Sequence, residues 1–297
     1  MKRIQFFTLS VLFCALCTTV GAKERTNRKE HEEYKEYKVP GRYGGRSAQS
    51  MDIWKDHAFL LNDRGFCRVY DFRRERVVGS FPLGSCHENN HANCASFGVE
   101  YPAGNTAFPA LYVSECRKPY RCFVESVRLD SATLVQTIRY REGDKEPVVH
   151  DWIVDRRKKK LYAVTRSVAP KGRNAVDSVR FVRFRLPALG EGDVTLSGKD
   201  AETRFAIALP NLLQGGTIRR HRLYLPVGLH AGNEHRPDAR RAMIVIDLRH
   251  RRVVRVIDLE DAVRNEPEDA AFWRGRLMLF CGQTGGIHRV RKQRRPF

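Results

Sequence analysis

Hydrophobic and polar residues alternate in short bursts along most of this chain, and no segment repeats apolar positions at i, i+3 and i+4 over a dozen residues. Short β-rich runs punctuated by polar turns predict strands rather than helices. Residues 52–83 set the pattern. An apolar run over 53–61 meets the turn Asn62-Asp63-Arg64-Gly65, a second run over 66–72 returns, and a charged turn leads to a third over 77–83. The unit reads as a three-strand meander.

The unit recurs. A couplet following a polar turn appears as Leu60-Leu61, Leu111-Tyr112, Leu161-Tyr162, Leu223-Tyr224 and Leu277-Met278, at intervals of 51, 50, 62 and 54 residues. A later strand–turn–strand signature returns as RVYDFRRERVVGSF, SVRLDSATLVQTI and VIDLRHRRVVRVI. Strand content with self-similarity near fifty residues indicates a β-propeller. The expected fold is all-β, a propeller of mostly antiparallel meander sheets with five blades, or six if the long 162–222 unit hides a hairpin. A two-sheet sandwich accounts for the strands but not for the interval.

Residues 1–22 read as a cleaved signal peptide, with Lys2 and Arg3, an apolar stretch over 4–16 and the small-residue site Val20-Gly21-Ala22. The stretch is too short to span a bilayer, so no transmembrane segment is expected and the chain reads as periplasmic or secreted. Residues 23–43 form a polar, charged arm, and 44–297 a single propeller domain. The end of the arm, 34–43, is placed to add a closing strand to the short last unit.

Formal net charge is +20, concentrated in runs such as Arg73-Arg74, Arg156-Arg157-Lys158-Lys159-Lys160, Arg249 to Arg252 and 292–295. The first three fall at predicted hairpin tips. Together they would favour an anionic surface such as phosphorylated lipid or acidic polysaccharide. No aromatic-interleaved basic face accompanies them, so no nucleic acid is expected as a partner. Beyond the leader's Cys14 and Cys17, six cysteines remain. Cys116 and Cys122 flank a short Pro119-containing segment at a hairpin neck and are expected to form a disulfide. Cys86 with Cys94 would close a smaller loop, and Cys67 and Cys281 read as buried thiols.

His87-Glu88-Asn89-Asn90-His91 satisfies the H-E-x-x-H pattern of zinc proteases. That chemistry needs a helix to align both histidines. The neighbouring Pro82, Gly84 and asparagines argue against one, so the match reads as chance. A stronger signal lies just before each unit's first strand, which is innermost in a propeller. There stand Gln49, His91 with Asn93, His150 with Asp151, Gln214, and Glu266 with Glu268. Gln49, His150 and Glu266 each precede their couplet by eleven residues. Each alone is explained by turn satisfaction or channel water. As a ring they suit a pocket for a small polar ligand, a glycan or a protein partner. His91, His150 and Glu268 would also suit a divalent cation as cofactor. A second cluster, His230, Asn233, Glu234 and His235, reads as a solvated loop. No phosphate-binding glycine loop or G-x-S-x-G elbow occurs.

KKLYAVTR, RAMIVIDLRHRRVVRVIDL and EPEDAAFWRGRLMLFCGQTGGIHRV resemble the blades of exported bacterial propellers of the broad NHL or YVTN-like type. That resemblance spans most of 46–291 and implies a ligand- or partner-binding module. The five-unit count is also similar to that of papaya-type glutaminyl cyclases, five-bladed propellers with a polar central pocket. Of their Gln-Gly and Glu-Gly blade starts this chain carries only Gln214-Gly215. The leading functional expectation is therefore binding at the channel mouth. The alternative is a hydrolase or lyase there, with His91 or His150 as base and Glu268 as acid.

Overall fold

The structure, a computed structural model, describes residues 35–37, 47–166, 177–190, 192–210, 212–232, 240–282 and 286–290. The leader at 1–22, most of the 23–43 arm, the 292–295 basic run, and Asn233, Glu234 and His235 lie outside the described residues. The chain forms a five-bladed β-propeller. Its inner strands are Ala48–Trp54, Ala92–Phe97, Val149–Asp155, Thr217–Arg219 and Pro267–Trp273, opening blades 1 to 5 in that order. Each packs against the next, and the fifth against the first, which closes the ring.

The second strands explain why the couplets stood out. In blade 1, Phe59 and Leu61 pack toward blade 2 with Phe97, Phe108 and Leu111, while Ala58 and Leu60 pack toward blade 5 with Met278 and Phe280. Successive side chains point to opposite faces, and both faces are covered by neighbouring blades, so the strand is apolar throughout. Five such apolar clusters fill the five interfaces between blades.

Lys35–Tyr37 pairs antiparallel with Ile287–Val290 and completes blade 5, as the shortness of the last unit suggested. Tyr37 is buried against Tyr70, Phe72 and Trp273, with ring centroids 5.2–6.5 Å away. The long unit holds no sixth blade. Its extra strand, Gly192–Ser197, leaves blade 3 and pairs in parallel with Ala132–Arg141, adding a fifth strand to blade 2.

Three basic runs do lie at hairpin tips, and an aspartate organises each. Asp71 Oδ1 accepts the N–H groups of Arg73 and Arg74, Asp247 Oδ1 those of Arg249 and His250, and Asp155 Oδ1 that of Lys158. These are the local side-chain-to-backbone bonds that make aspartate a turn residue. Among the described residues no helix is long and apolar enough to cross a membrane.

The expected Cys116–Cys122 disulfide is absent, and both thiols are free. Register is the reason. Cys122 pairs with Ser114, and Glu115 N–H bonds Arg121 carbonyl, so the position opposite Cys116 is Tyr120. Cys122 packs into the interface with blade 3, among Tyr112, Val124 and Ile138. Nor are Cys86 and Cys94 bonded.

Candidate functional site

The inner strands meet the channel through a repeated irregularity. Pairing with the second strand slips at Gln49 in blade 1, at Asn93-Cys94 in blade 2, at His150 in blade 3 and at Glu268 in blade 5. A β-bulge re-aims the extra residue and ends regular pairing, a device often found beside functional sites. Blade 4 reaches the same level without a bulge, where Gln214 N–H bonds Pro226 carbonyl and Gly215 N–H bonds Glu268 carbonyl at 2.8 Å. Five blades thus deliver five polar residues to one end of the channel. Glu268, rather than Glu266, is the equivalent of Gln49. The ring residue stands eight positions before the second strand in blades 1, 4 and 5, and ten before it in blade 3, whose turn is two residues longer.

The ring is divided into two clusters. Between blades 2 and 3, Asn93 Nδ2 donates to Asp151 Oδ1 at 2.7 Å, and His150 Nδ1 lies 2.9 Å from Asp151 Oδ2. Nδ1 also lies 3.3 Å from Asn93 Nδ2, itself a donor. The shorter approach to the carboxylate decides the tautomer, so Nδ1 carries a proton and donates it to Asp151. Burial alone would lower the His150 pKa, but Cys116 and Asp151 beside it outweigh that and hold it up at about 10. His91 behaves oppositely. Burial, with Arg117 and the cationic His150 nearby, lowers it to about 4 and keeps it neutral at pH 7. Across the mouth, Gln214 Nε2 donates to Glu266 Oε1 at 2.7 Å. Glu268 is fully buried beside it; burial, then Glu266 and Asp269, raise its pKa well above the ordinary range. Gln49 is buried in blade 1, and its Oε1 has no hydrogen-bond partner among the described residues.

Below this ring the channel is shut. Asp269 Oδ2 accepts Met51 N–H of blade 1 at 3.0 Å and Ala95 N–H of blade 2 at 3.2 Å, while Oδ1 accepts Ala270 N–H at 2.7 Å. Cys94 Sγ of blade 2 donates to Gly216 carbonyl of blade 4 at 3.5 Å. Gly215 is obligatory here, since a Cβ would lie 2.5 Å from Asp269 Cγ and 2.7 Å from Asn93 carbonyl. Further down, Asp52 accepts Ile53 and Phe97 N–H groups and pairs with Arg156. These bonds tie the blades together below a carboxylate-rich ring. Two cavities of about 560 Å³ lie away from it. One is lined by Lys159, Phe184 and Asp200, the other by Trp54, Arg73, Arg156 and Arg274.

Several expectations resolve differently. Residues 87–91 carry no helix, only a turn at 88–89, so the zinc-protease pattern has no scaffold. His87 Nε2 instead lies 3.2 Å from Glu115, which Arg121 clasps with two bonds of 2.7 and 2.8 Å. Among the described residues no group of three or more His, Cys, Asp and Glu side chains is arranged to hold a metal ion. His91 and His150 are neighbours, whereas the charges around Glu268 are those of Glu266 and Asp269. Sequence reasoning missed Cys116 as His150's partner, and it missed the Asp52 and Asp269 staples. The staples had a faint signal, an aspartate inside an inner strand of blades 1, 3 and 5.

No protein-family model and no curated protein matches the chain. Among solved structures it is similar to a Myxococcus xanthus glutaminyl cyclase, at 14% identity and a TM-score of 0.54, covering 88% of this chain and 96% of that one. At this identity the likeness extends to the fold.

Proposed function

We propose that the channel mouth binds a small polar ligand bearing an amine or amide. Gln49, Asn93, His150, Gln214 and the Glu266–Glu268 pair supply its hydrogen bonds. The observation that carries this reading is the bulge geometry. Structurally equivalent positions of blades 1, 3 and 5 present Gln49, His150 and Glu268 at one level. Core packing gives no reason to place polar groups there. Gln49 Oε1 adds to it, because a buried acceptor left unpaired costs about 1–3 kcal/mol, which a donor on the ligand would recover. This end of the channel gathers Asp151 and Glu266 within a chain of net charge +20, which favours a cationic or donor-rich ligand over an anion. Export through the segment at 1–22 belongs to the same proposal.

A second reading, acid–base catalysis on that ligand, is favoured by one pairing of properties. Burial favours the protonated form of Glu268 and keeps His91 neutral, the directions wanted of a general acid and a general base near one mouth. The glutaminyl cyclase likeness makes glutaminyl peptides the first substrates to try.

The test is a thermal-shift and calorimetric screen of small amines, amides and glutaminyl dipeptides against wild type, Gln49→Ala and Glu268→Gln. A ligand at a hundred times its Kd should stabilise the fold by about 2.7 kcal/mol. Both variants should weaken it at least tenfold. Ligands that bind all three proteins equally would place the site elsewhere and overturn the reading. Ammonia release from a glutaminyl peptide, lost in Glu268→Gln, would support the catalytic form.

A further inference from the structure

Cys116 is the residue after Glu115, where the second strand of blade 2 (Leu111–Glu115) ends. That strand runs antiparallel to the inner one, so its end lies at the channel mouth. Ser114 Oγ accepts the Trp152 N–H at 2.7 Å, and Leu111–Glu115 runs antiparallel to Val149–Asp155, so Cys116, two residues beyond Ser114, comes beside His150, two residues before Trp152, whose Nδ1 is held by Asp151 at 2.9 Å. Asp151 is itself fixed by Asn93 at 2.7 Å and is fully buried. With Nδ1 committed to the carboxylate, Nε2 is the nitrogen left to exchange a proton with the thiol. Thiol, imidazole and carboxylate stand in series, the third group orienting the second, which is the arrangement that activates a nucleophile. Access differs among the thiols as well. Cys67, Cys94, Cys122 and Cys281 are buried, and only Cys86 and Cys116 are partly open. Burial, then the nearby Glu125 and Glu88, disfavour the Cys86 thiolate.

The geometry points to Cys116 as the nucleophile of the mouth, with the His150 imidazolium as its ion-pair partner and Asp151 as the positioning residue, acting on a small acyl donor. This rests on the reading that the mouth is the ligand site, and it names the chemistry of one wall. In the step proposed, the Cys116 thiolate, paired with the imidazolium of His150, attacks the carbonyl carbon. The S–C bond forms as the bond to the leaving group breaks, and the imidazolium gives its proton to the leaving group. Water then attacks the thioester with the now neutral His150 as base, which releases the acid and restores the thiolate–imidazolium pair.

The test is iodoacetamide alkylation of the full chain from pH 5 to 9, read per cysteine by peptide mass spectrometry. A thiolate paired with imidazolium titrates at about 3.5–7.5, against about 8.5 for a free thiol. Cys116 should therefore react at least tenfold faster than Cys86 at pH 6. His150→Gln should return its profile to the ordinary range, and Asp151→Asn should move it part of the way. A wild-type Cys116 profile centred near 8.5 overturns the proposal, whether or not the variants fold. p-Nitrophenyl acetate then tests the acyl step. An acetyl group on the Cys116 peptide supports it, and its absence beside a lowered profile overturns acyl transfer. Neither measurement uses the ligand of the screen, so failure here leaves that result intact, and the converse holds.

Discussion

Replacing Asp269 tests whether the carboxylates below the mouth hold the ring together. Three N–H groups from three blades converge on it, at 3.0, 3.2 and 2.7 Å. Asp269→Ala leaves all three buried and unpaired, at about 1–3 kcal/mol each. Burial raises the Asp269 pKa well above its ordinary value, so removing the group also relieves a desolvation cost. The net expectation is roughly 3–5 kcal/mol of lost stability, toward the lower half of that sum. Asp269→Asn keeps the shape, and its single oxygen serves either Met51 with Ala95 or Ala270. Its amide group then faces at least one donor, for a loss of about 1–3 kcal/mol. A domain of this size shifts by about 2–4 °C per kcal/mol. Calorimetry should therefore place Asn roughly 2–12 °C below wild type and Ala lower still. Asp144→Ala, at an exposed position, serves as the unchanged control. An Asp269→Ala protein melting within a degree of wild type would refute the staple.

The Glu268 pKa is raised on folding, so the folded state keeps a proton that the unfolded chain sheds. Stability should fall as pH rises from the ordinary carboxylate range toward the raised value, and Glu268→Gln should flatten that slope in melting curves between pH 5 and 8. Arg121→Met leaves Glu115, only 1% exposed, without its two-bond partner. Urea unfolding should show a loss of about 3–5 kcal/mol, and an unchanged midpoint would show that the pair contributes little. Gly215→Ala drives a methyl group into Asp269 and the Asn93 carbonyl. A cost of about 1–3 kcal/mol is expected, with weaker ligand binding at the mouth. Titration of the unfolded, unreduced protein should find Cys67, Cys86, Cys94, Cys116, Cys122 and Cys281 all reactive, and any shortfall would reveal a disulfide.

The propeller was legible because every blade repeats one solution, a doubly buried second strand such as 58–61, and because an aspartate organises a charged hairpin turn in blades 1, 3 and 4. Blade count was less so, since the Gly192–Ser197 strand lengthens one unit while pairing with another blade. Gln49, His150 and Gln214 could be found by counting back from the couplets. The same count aligned Glu266 rather than Glu268 with Gln49, because the couplet begins at the fourth residue of the second strand in blade 1 but at the second residue in blade 5. The Cys116–Cys122 expectation used spacing where register decides: Cys116 stands two residues beyond Ser114, the residue opposite Cys122. Asp52 and Asp269 were harder still. A carboxylate inside an apolar strand reads as noise until the N–H groups that solvate it arrive from other blades, 45 and 174 or more residues away.

The strand that closes the ring is made first and used last. Tyr37 leaves the ribosome 250 residues before Ile287, the residue it pairs with. At roughly 5–20 residues per second that interval is about 12–50 s. Throughout it, blade 5 lacks its outer strand, and until its last 14 residues the aromatic socket of Tyr70 and Phe72 lacks Trp273 as well. A nascent chain must therefore keep its earliest segment unengaged while four blades are built. A truncated product ending before 287 would expose that socket as an apolar surface for chaperones or proteases to recognise.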